Sequence, residues 1–248
     1  MLTDLQYGIL MRFFSRSPQR WNESVYQGKS KLGLLFEDTF LGSVAGKTVI
    51  DFGCGEGLEA IDIAQRGARR VIGVDSREDI LQTARGNAAA AGVGDRCWFA
   101  TSTEELADVV ISVDAFEHFD RPAEILDIMN QLLRPGGEVL VSFGPTWYHP
   151  LGGHLFSVFP WAHLLFSEQA LLRWRSTFKT DGATRFSEVE GGLNQMTIRR
   201  FERLIEASPF RLAALDLVPI RKLAPLHNRL TREFTTAVVR CRLRKRDR

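Results

Sequence analysis

Apolar positions along the chain switch between two spacings, and this alternation predicts strands and helices that follow one another in turn. Short β-rich runs at 48–52 and 70–75 enclose the helical spacing of residues 58–64, which predicts a βαβ unit. The alternation continues with strands at 96–100, 108–113 and 138–143 and with helices over 79–91 and 122–133. Strands that alternate with helices form a parallel sheet covered on both faces.

Beyond the fifth strand the pattern resumes only after a long excursion. A helix over 197–207, a strand over 210–217 and a final β-rich run over 235–241 follow, and the last run is a candidate antiparallel strand. We therefore predict an α/β fold with a doubly wound, mostly parallel, seven-stranded sheet. Residues 1–45 are predicted to form an N-terminal helical cap, and 46–248 the main domain, which includes an aromatic-rich insertion at 144–193 after the fifth strand.

Composition narrows the class of protein. The chain has 248 residues, of which 44% are apolar and 25% charged, as in ordinary globular domains. No apolar stretch approaches the roughly 20 residues that span a bilayer, and the first residues lack the pattern of a signal peptide. Three widely spaced cysteines argue against disulfides and a zinc cluster. These features predict a cytoplasmic protein without a transmembrane segment.

The end of the chain is strongly basic. Residues 240–248 carry six Arg and Lys side chains and one Asp, whereas the rest of the chain is slightly acidic. One interpretation is a solvated, frayed terminus, and the other is a contact for RNA or anionic lipid.

The first candidate site is a glycine-rich turn. Residues 49–57 read VIDFGCGEG, a strand that ends on an acidic residue and turns through alternating glycines into a helix. Glycine permits positive φ and close approach of a ligand, and the start of the helix offers free N–H groups. The third small residue of a dinucleotide fingerprint would stand at position 58, which is Leu58. This spacing disfavours a hydride-transfer enzyme and favours another polar ligand.

Asp75 ends the second strand, where doubly wound folds place a carboxylate that binds ribose hydroxyls. The glycine turn and Asp75 together predict a nucleoside cofactor.

On these residues the sequence resembles the class I S-adenosylmethionine-dependent methyltransferases, which are Rossmann-like, over 40–144 and more loosely over 195–241. The turn at 133–140, LRPGGEVL, is similar to the turn before their fifth strand. The resemblance implies that S-adenosylmethionine binds, that Asp75 holds the ribose, and that Ser76 and Arg77 flank the adenine. It places Ser102 where relatives often have the aspartate that binds the adenine amino group. The implied cofactor-binding residues are Asp51, Gly53, Cys54, Gly55, Gly57, Asp75, Ser76, Ser102 and Thr103.

The stretch 111–122, ISVDAFEHFDRP, resembles the exit of the fourth strand in small-molecule methyltransferases, particularly the quinone-biosynthesis O-methyltransferases. If residues 114–118 form a helical turn, Asp114, Glu117 and His118 share one face. Three interpretations stay open: His118 is a general base for the acceptor hydroxyl, the three residues hold magnesium, or they are structural. The stretch lacks the Asn/Asp-Pro-Pro-Tyr box and the cysteine that DNA methylation uses, which disfavours DNA as a partner.

The insertion is rich in aromatic residues and histidines. It predicts either a lid over an apolar acceptor or a helix over 161–178 that packs on the core. His154 is a further candidate base, unless Gly152-Gly153-His154 is only a turn. A metal site formed by His149, His154 and His163 is disfavoured because no pair of them has i, i+4 spacing.

The predicted function is methyl transfer from S-adenosylmethionine to a small, largely apolar or aromatic acceptor, at oxygen, with S-adenosylhomocysteine as product. The alternatives are a catalytically inactive cofactor-binding regulatory or scaffold protein and an RNA or protein methyltransferase.

Overall fold

The computed structural model describes residues 2–14, 30–36, 44–189 and 191–246. Within these residues one sheet of seven strands forms the centre of the fold. The strands are β1 Thr48–Phe52, β2 Arg70–Val74, β3 Cys97–Ala100, β4 Ala107–Val113, β5 Leu133–Phe143, β6 Phe210–Pro219 and β7 Thr236–Lys245. The helices are α1 Leu2–Phe13, α2 Leu32–Leu35, α3 Leu58–Gln65, α4 Glu78–Ala90, α5 Pro122–Leu132, α6 Ala162–Leu165, α7 Glu168–Arg175, α8 Ile198–Ala207 and α9 Arg232–Thr235.

The strand order is β3-β2-β1-β4-β5-β7-β6, and the first five strands run parallel. Strand β7 lies antiparallel between β5 and β6. The predicted fold class, including the antiparallel strand near the end of the chain, is confirmed. Because the chain passes from β3 on one side of β1 to β4 on the other, the crevice that ligands use in such folds lies at the carboxyl ends of β1 and β4.

Each face of the sheet has its own apolar layer. On one face, side chains of β1 and β2 pack with α3 and α4, and Leu32, Leu35 and Phe36 join this layer. On the other face, α5 and α8 pack against β4, β5 and β7. Part of the predicted N-terminal cap is therefore buried in the core of the main domain, next to the helices that follow β1 and β2. The cap's residues 15–29 and 37–43 lie outside the described residues.

The basic terminus differs from the frayed end expected from the sequence. Strand β7 continues to Lys245, whose ammonium donates to the carbonyl of Leu133 at 2.7 Å. Arg242 and Arg244 both lie within ion-pair distance of Glu138 on β5. The frayed terminus is thus wrong for 240–246, because the sheet's hydrogen bonds and neighbouring carboxylates order these residues. Residues 247 and 248 lie outside the described residues.

The insertion forms a third layer. Instead of one helix over 161–178, the structure has α6 and α7, with a break at Phe166 and Ser167. Ser167 caps α7 by accepting from the N–H of Ala170 at 3.3 Å, and the side chain of Gln6 in α1 accepts from the Ser167 hydroxyl at 2.7 Å. Trp174 and Leu10 are fully buried in the same apolar cluster, so α1 and the insertion share one core. Among the described residues, every helix is too short or too polar to cross a bilayer.

Candidate active site

The glycine turn connects β1 to α3 as the sequence predicts. Gly53 has a φ of 86°, and a Cβ there would lie 2.6 Å from the Cβ of Ala115. Gly57 has a φ of 79°, and its Cβ would lie 2.8 Å from the ring of Phe99. Only glycine fits both positions. A Cβ at Gly55 would meet nothing within 4 Å, so a ligand can approach the backbone there.

Asp75 faces this turn from the end of β2. Its carboxylate is 9% exposed and accepts a hydrogen bond from the N–H of Gly55 at 3.1 Å. The other carboxylate oxygen accepts from the N–H and the Nε of Arg77, both at 3.1 Å. The sequence implied a place beside adenine for Arg77, but the structure pairs this half-exposed side chain with Asp75 itself. A ligand at Asp75 would therefore compete with a half-exposed guanidinium.

Two other residues of the turn, Asp51 and Cys54, are buried. Asp51 is 1% exposed, and one of its oxygens has no hydrogen-bond partner among the described residues. Burial, and then the charges of Glu59 and Asp75, raises the pKa of Asp51 well above its usual value. Burial likewise raises the pKa of the Cys54 thiol. Both side chains thus lie in the interior beneath the turn, and neither is exposed to a ligand.

The residues implied for adenine lie in loops at the same edge of the sheet. Ser76 follows β2, and Ser102 and Thr103 follow β3, which pairs with β2. Ser102 is exposed, whereas the hydroxyl of the half-buried Thr103 accepts from the N–H of Glu105 at 3.1 Å. The three residues are near neighbours in the fold, and their contact with adenine stays a prediction.

An ion pair that the sequence did not indicate lies beside the turn. The ammonium of Lys31 is 2.5 Å from a carboxylate oxygen of Asp114, and the backbone N–H of Lys31 donates to Glu59 at 3.0 Å. Burial alone would lower the pKa of Lys31, but the Asp114 carboxylate outweighs it and raises that pKa. Burial raises the pKa of Glu59. The segment before α2 is thereby tied to the carboxyl ends of β1 and β4.

The shared face expected for Asp114, Glu117 and His118 does not form. The helical turn is a single 3₁₀ turn over Phe116–His118, and Asp114 lies outside it with a φ of 47°. Asp114 turns toward Lys31, so the other two side chains are left to form a group without it. The turn is held in place by Asn194, whose amide donates to the carbonyls of Phe116 and Phe119, each at 2.8 Å.

Glu117 and His118 have different hydrogen-bond partners, although both side chains come from this turn. Glu117 is 2% exposed; one oxygen accepts from the N–H of Gly144 at 3.2 Å, and the other has no partner among the described residues. Burial and the neighbouring Asp114 raise the pKa of Glu117 to about 8. Nδ1 of His118 lies 2.8 Å from the carbonyl oxygen of Gly192. Because a carbonyl only accepts, Nδ1 carries the proton and Nε2 keeps a free lone pair.

His154 comes to the same place from the insertion. Its ring centroid is 5.2 Å from that of His118, and its Nε2 is buried without a partner in the described part of the chain. Burial, followed by the nearby His118, lowers the pKa of His154 to about 4. One donor atom from each of Glu117, His118 and His154 lies within 4.8 Å of the others. The sequence named all three residues but gave no sign that His154 belongs with the other two.

The remaining histidines of the insertion have local partners. His163 contacts the hydroxyl of Ser157 at 3.0 Å and the carbonyl of Trp147 at 2.7 Å. His149 accepts from the N–H of Leu151 at 2.9 Å. In the described residues, His149 and His163 therefore lie outside the candidate metal cluster, whereas His154 belongs to a cluster that could hold a metal.

A cavity of about 300 Å³ opens beside this cluster, between the insertion and the 3₁₀ turn after β4. It is lined by His118, His154, Leu155, Phe156, Arg175, Lys179, Val189, Gly192 and Leu193. Its walls combine apolar side chains with two imidazoles and the basic Arg175 and Lys179, and a concave site of this kind suits a small molecule.

Comparison with curated proteins finds relatives that match part of the chain. A ubiquinone biosynthesis O-methyltransferase of Neisseria meningitidis is 39% identical over 106 residues, which is 40% of this chain and 44% of that protein. A ribosomal protein L11 methyltransferase of Photobacterium profundum is 35% identical over 100 residues, which is 40% of this chain and 34% of that protein. The chain therefore spans less than half the length of either relative.

Solved structures share the fold. An S-adenosylmethionine-dependent methyltransferase from Mesorhizobium loti superposes with a TM-score of 0.57 at 17% identity, covering 89% of this chain and 100% of that one. A methyltransferase-domain family model matches residues 27–215, which include the glycine turn, Asp75, the 3₁₀ turn and the insertion. The chain therefore belongs to the methyltransferase domain family, in its class I, S-adenosylmethionine-dependent form.

Proposed function

We propose that this methyltransferase transfers the methyl group of S-adenosylmethionine to an oxygen of a small, largely apolar or aromatic acceptor. The observation that carries the proposal is the placement of His118, which follows β4, lines a cavity of about 300 Å³ and is held through Nδ1 by the Gly192 carbonyl. The O-methyltransferase relative favours oxygen as the methylated atom.

The cofactor site proposed for this chain is the cradle between the glycine turn and Asp75. The residues fit the cofactor because a Cβ would fill the turn at Gly53 and Gly57, while the space beside Gly55 is open. Asp75 offers two oxygens to the ribose, and Ser76, Ser102 and Thr103 stand at the adenine side of the same edge. When bound, S-adenosylmethionine supplies an activated methyl group on a sulfonium.

The protein's own task is to orient the acceptor and to remove its proton. His118 is suited to take that proton because the Gly192 carbonyl fixes its tautomer and leaves Nε2 free. The insertion, residues 144–193, covers the acceptor, with Leu155, Phe156 and Val189 as its apolar walls. Asp114 contributes indirectly, by holding Lys31 and the segment before α2 at the edge of the site.

The test is product formation with defined acceptors. The full chain is incubated with S-adenosylmethionine and a panel of phenols, quinols and fatty acids, and mass spectrometry follows methylated product and S-adenosylhomocysteine together. Methylation of a hydroxyl in at least one aromatic acceptor, in equal amount to S-adenosylhomocysteine, is the expected result. Cofactor binding without consumption across the panel would instead indicate a regulatory or scaffold protein.

Protein methylation is a second candidate, since one relative is a ribosomal protein methyltransferase of similar identity. Ribosomal protein L11 therefore belongs in the panel. Because the cavity is small and lined by the insertion, we expect the small hydroxyl compounds to be methylated and the protein to remain unmodified.

A further inference from the structure

We propose that Glu117, His118 and His154 form a binding site for a single divalent transition-metal ion such as Zn²⁺. The three side chains come from two separate segments, the 3₁₀ turn after β4 and the insertion after β5. One ligand atom from each lies within 4.8 Å of the other two, which is the spacing of a site that one ion can occupy.

Among the described residues, the hydrogen bonds of these three side chains do not use the atoms that would bind the ion. Glu117 uses one oxygen on the N–H of Gly144, and its second oxygen is buried without a partner among the described residues. Nε2 of His154 is also buried and unpartnered there. Buried polar atoms without partners are costly, and an absent ion is one of the explanations that such atoms call for.

The ring nitrogen of His118 that would not bind the ion already has a hydrogen-bond partner, as is usual for metal-binding histidines. Its Nδ1–H donates to the carbonyl of Gly192, which fixes the ring and directs Nε2 away from that carbonyl. His154 has a φ of 50°, a left-handed conformation that histidine adopts more often than most residues but still uncommonly. Backbone strain of this kind concentrates at functional sites, and here it places the imidazole against His118.

The ligand set favours a borderline transition metal over magnesium. Magnesium prefers an octahedral shell of oxygen ligands, whereas two imidazoles and one carboxylate suit Zn²⁺, Fe²⁺ or Mn²⁺. Asp114, the oxygen donor that a magnesium site would need from this segment, is paired with Lys31. The proposed site is therefore different from the Asp114, Glu117 and His118 set expected from the sequence spacing.

The cavity gives the ion a role in the proposed methyl transfer, and this role, unlike binding itself, rests on the function proposed above. Three protein ligands leave a coordination position open toward the cavity that His118 and His154 line. With the ion bound, Nε2 of His118 would be a ligand and no longer the base, and an acceptor hydroxyl at the open position would instead lose its proton to solvent more readily. The oxygen then bonds to the methyl carbon as the carbon–sulfur bond breaks, the sulfur keeps the electron pair, and the ion is unchanged.

Metal binding is tested on the untagged full chain, freed of metal with a chelator, by calorimetric titration with ZnCl₂ in the absence of cofactor and acceptor. Co²⁺ is titrated in parallel because its visible absorption reports the ligands. We expect one ion per chain. His154→Asn, which keeps a residue that tolerates positive φ, should weaken Zn²⁺ binding by more than the roughly 10- to 100-fold that loss of an outer contact costs.

Glu117→Gln should weaken binding in the same way, and circular dichroism checks that both variants stay folded. The matched control is His227→Ala, since the ring of His227 contacts the Thr235 hydroxyl rather than the cluster, and this variant should leave affinity unchanged. Binding that is absent in the wild type, or equally strong in His154→Asn, overturns the proposal. Because this experiment does not measure methyl transfer, failure to bind Zn²⁺ leaves the proposed methyl transfer standing. A protein that binds Zn²⁺ but methylates no acceptor would support the metal site and contradict the proposed function.

Discussion

The edge of the sheet that carries the glycine turn and the insertion that faces it are built in opposite ways. The edge is specified by backbone geometry: Gly53 and Gly57 adopt positive φ, and Asp75 accepts from the N–H of Gly55. The insertion is specified by packing, with Phe156 and Trp174 buried in a core that it shares with α1. A backbone site is set by a few neighbouring residues, whereas a packed layer depends on contacts between distant ones.

The two regions also differ in the kind of side chain whose pKa is shifted by burial. At the edge, burial raises the pKa of the acids Asp51 and Glu59. In the insertion, burial lowers the pKa of His149 and His163. The stability that these acids contribute is therefore lost as the pH rises, whereas the stability that these histidines contribute is lost as the pH falls.

The sharpest test of the comparison lies where the two regions meet. His118→Ala should lower the rate of methyl transfer by about 10²- to 10⁴-fold and leave cofactor affinity unchanged, because the acceptor then keeps its proton. Turnover on the identified acceptor and calorimetry with S-adenosylhomocysteine measure the two effects. His227→Ala is the control histidine outside the cluster. A rate close to that of the wild type would return His118 to a structural role.

The next test concerns the edge alone. Asp75→Ala should weaken S-adenosylhomocysteine binding by about 2–4 kcal/mol, roughly 30- to 1,000-fold, because it removes charge-assisted hydrogen bonds to the ribose. Calorimetry compares it with Asp79→Ala, which removes an exposed acid four residues further along the chain. Equal affinities in the two variants would show that the ribose does not bind at Asp75.

The same contrast explains how much the sequence could predict. The bounds of β1 were predicted residue for residue, and those of β2 to within one residue, because β-rich runs are local signals bounded by glycine and charged residues. The glycine turn and Asp75 were found for the same reason, since their chemistry is carried by adjacent residues. The predicted helix over 161–178 missed its break because the Ser167 cap is supported by Gln6, 161 positions away.

Two contacts of the site that the sequence could not reveal join distant segments. Lys31 meets Asp114 across 83 positions, and His118 meets Gly192 across 74. Neither pairing has a spacing or a motif that marks it, because each depends on how the layers stack on the sheet. The grouping of His154 with Glu117 and His118 is of the same kind, which is why the residues were predicted and their arrangement was not.

Ligand binding should separate the two parts of the insertion. With S-adenosylhomocysteine and acceptor both bound, we expect amide exchange of the loop residues 145–159 to slow by about 10-fold, since an ordering free energy of about 1.4 kcal/mol has this effect. Helix α7 should change little, because Trp174 and Leu171 are already fully buried. Hydrogen-exchange mass spectrometry measures both. A loop that is as protected as the central strands without ligand would be a fixed layer rather than a lid.

A smaller effect concerns the acid at the edge. The pKa of Asp51 is raised in the folded protein, so its contribution to stability is full below the unfolded pKa of about 3.9 and is lost as the pH rises. Asp51→Asn should therefore lose less stability than the wild type between about pH 5 and pH 8. Urea unfolding without cofactor measures this, with Asp79→Asn as the exposed control. If the unfolding free energies of all three proteins changed with pH in parallel, the pKa of Asp51 would not be raised in the folded protein.

The smallest effect is expected at His149, where the sign is reversed. Burial, and then His163, lowers the pKa of His149 from 6.5 to about 4, so the unfolded chain binds a proton that the folded chain does not. Stability is then complete above about pH 6.5 and falls as the pH drops toward 4. Because His149 is only partly buried, we expect about 1 kcal/mol from it after discounting for solvent screening.

His149→Asn keeps an acceptor for the N–H of Leu151 and removes the proton-binding site. Its unfolding free energy should depend less steeply on pH between about 4 and 6.5 than that of the wild type, while His227→Asn serves as the control outside the insertion. If the slopes of His149→Asn and the wild type agree, the histidine is as hydrated in the fold as in the unfolded chain. The stability of the insertion would then not depend on pH in the direction opposite to that of the sheet edge.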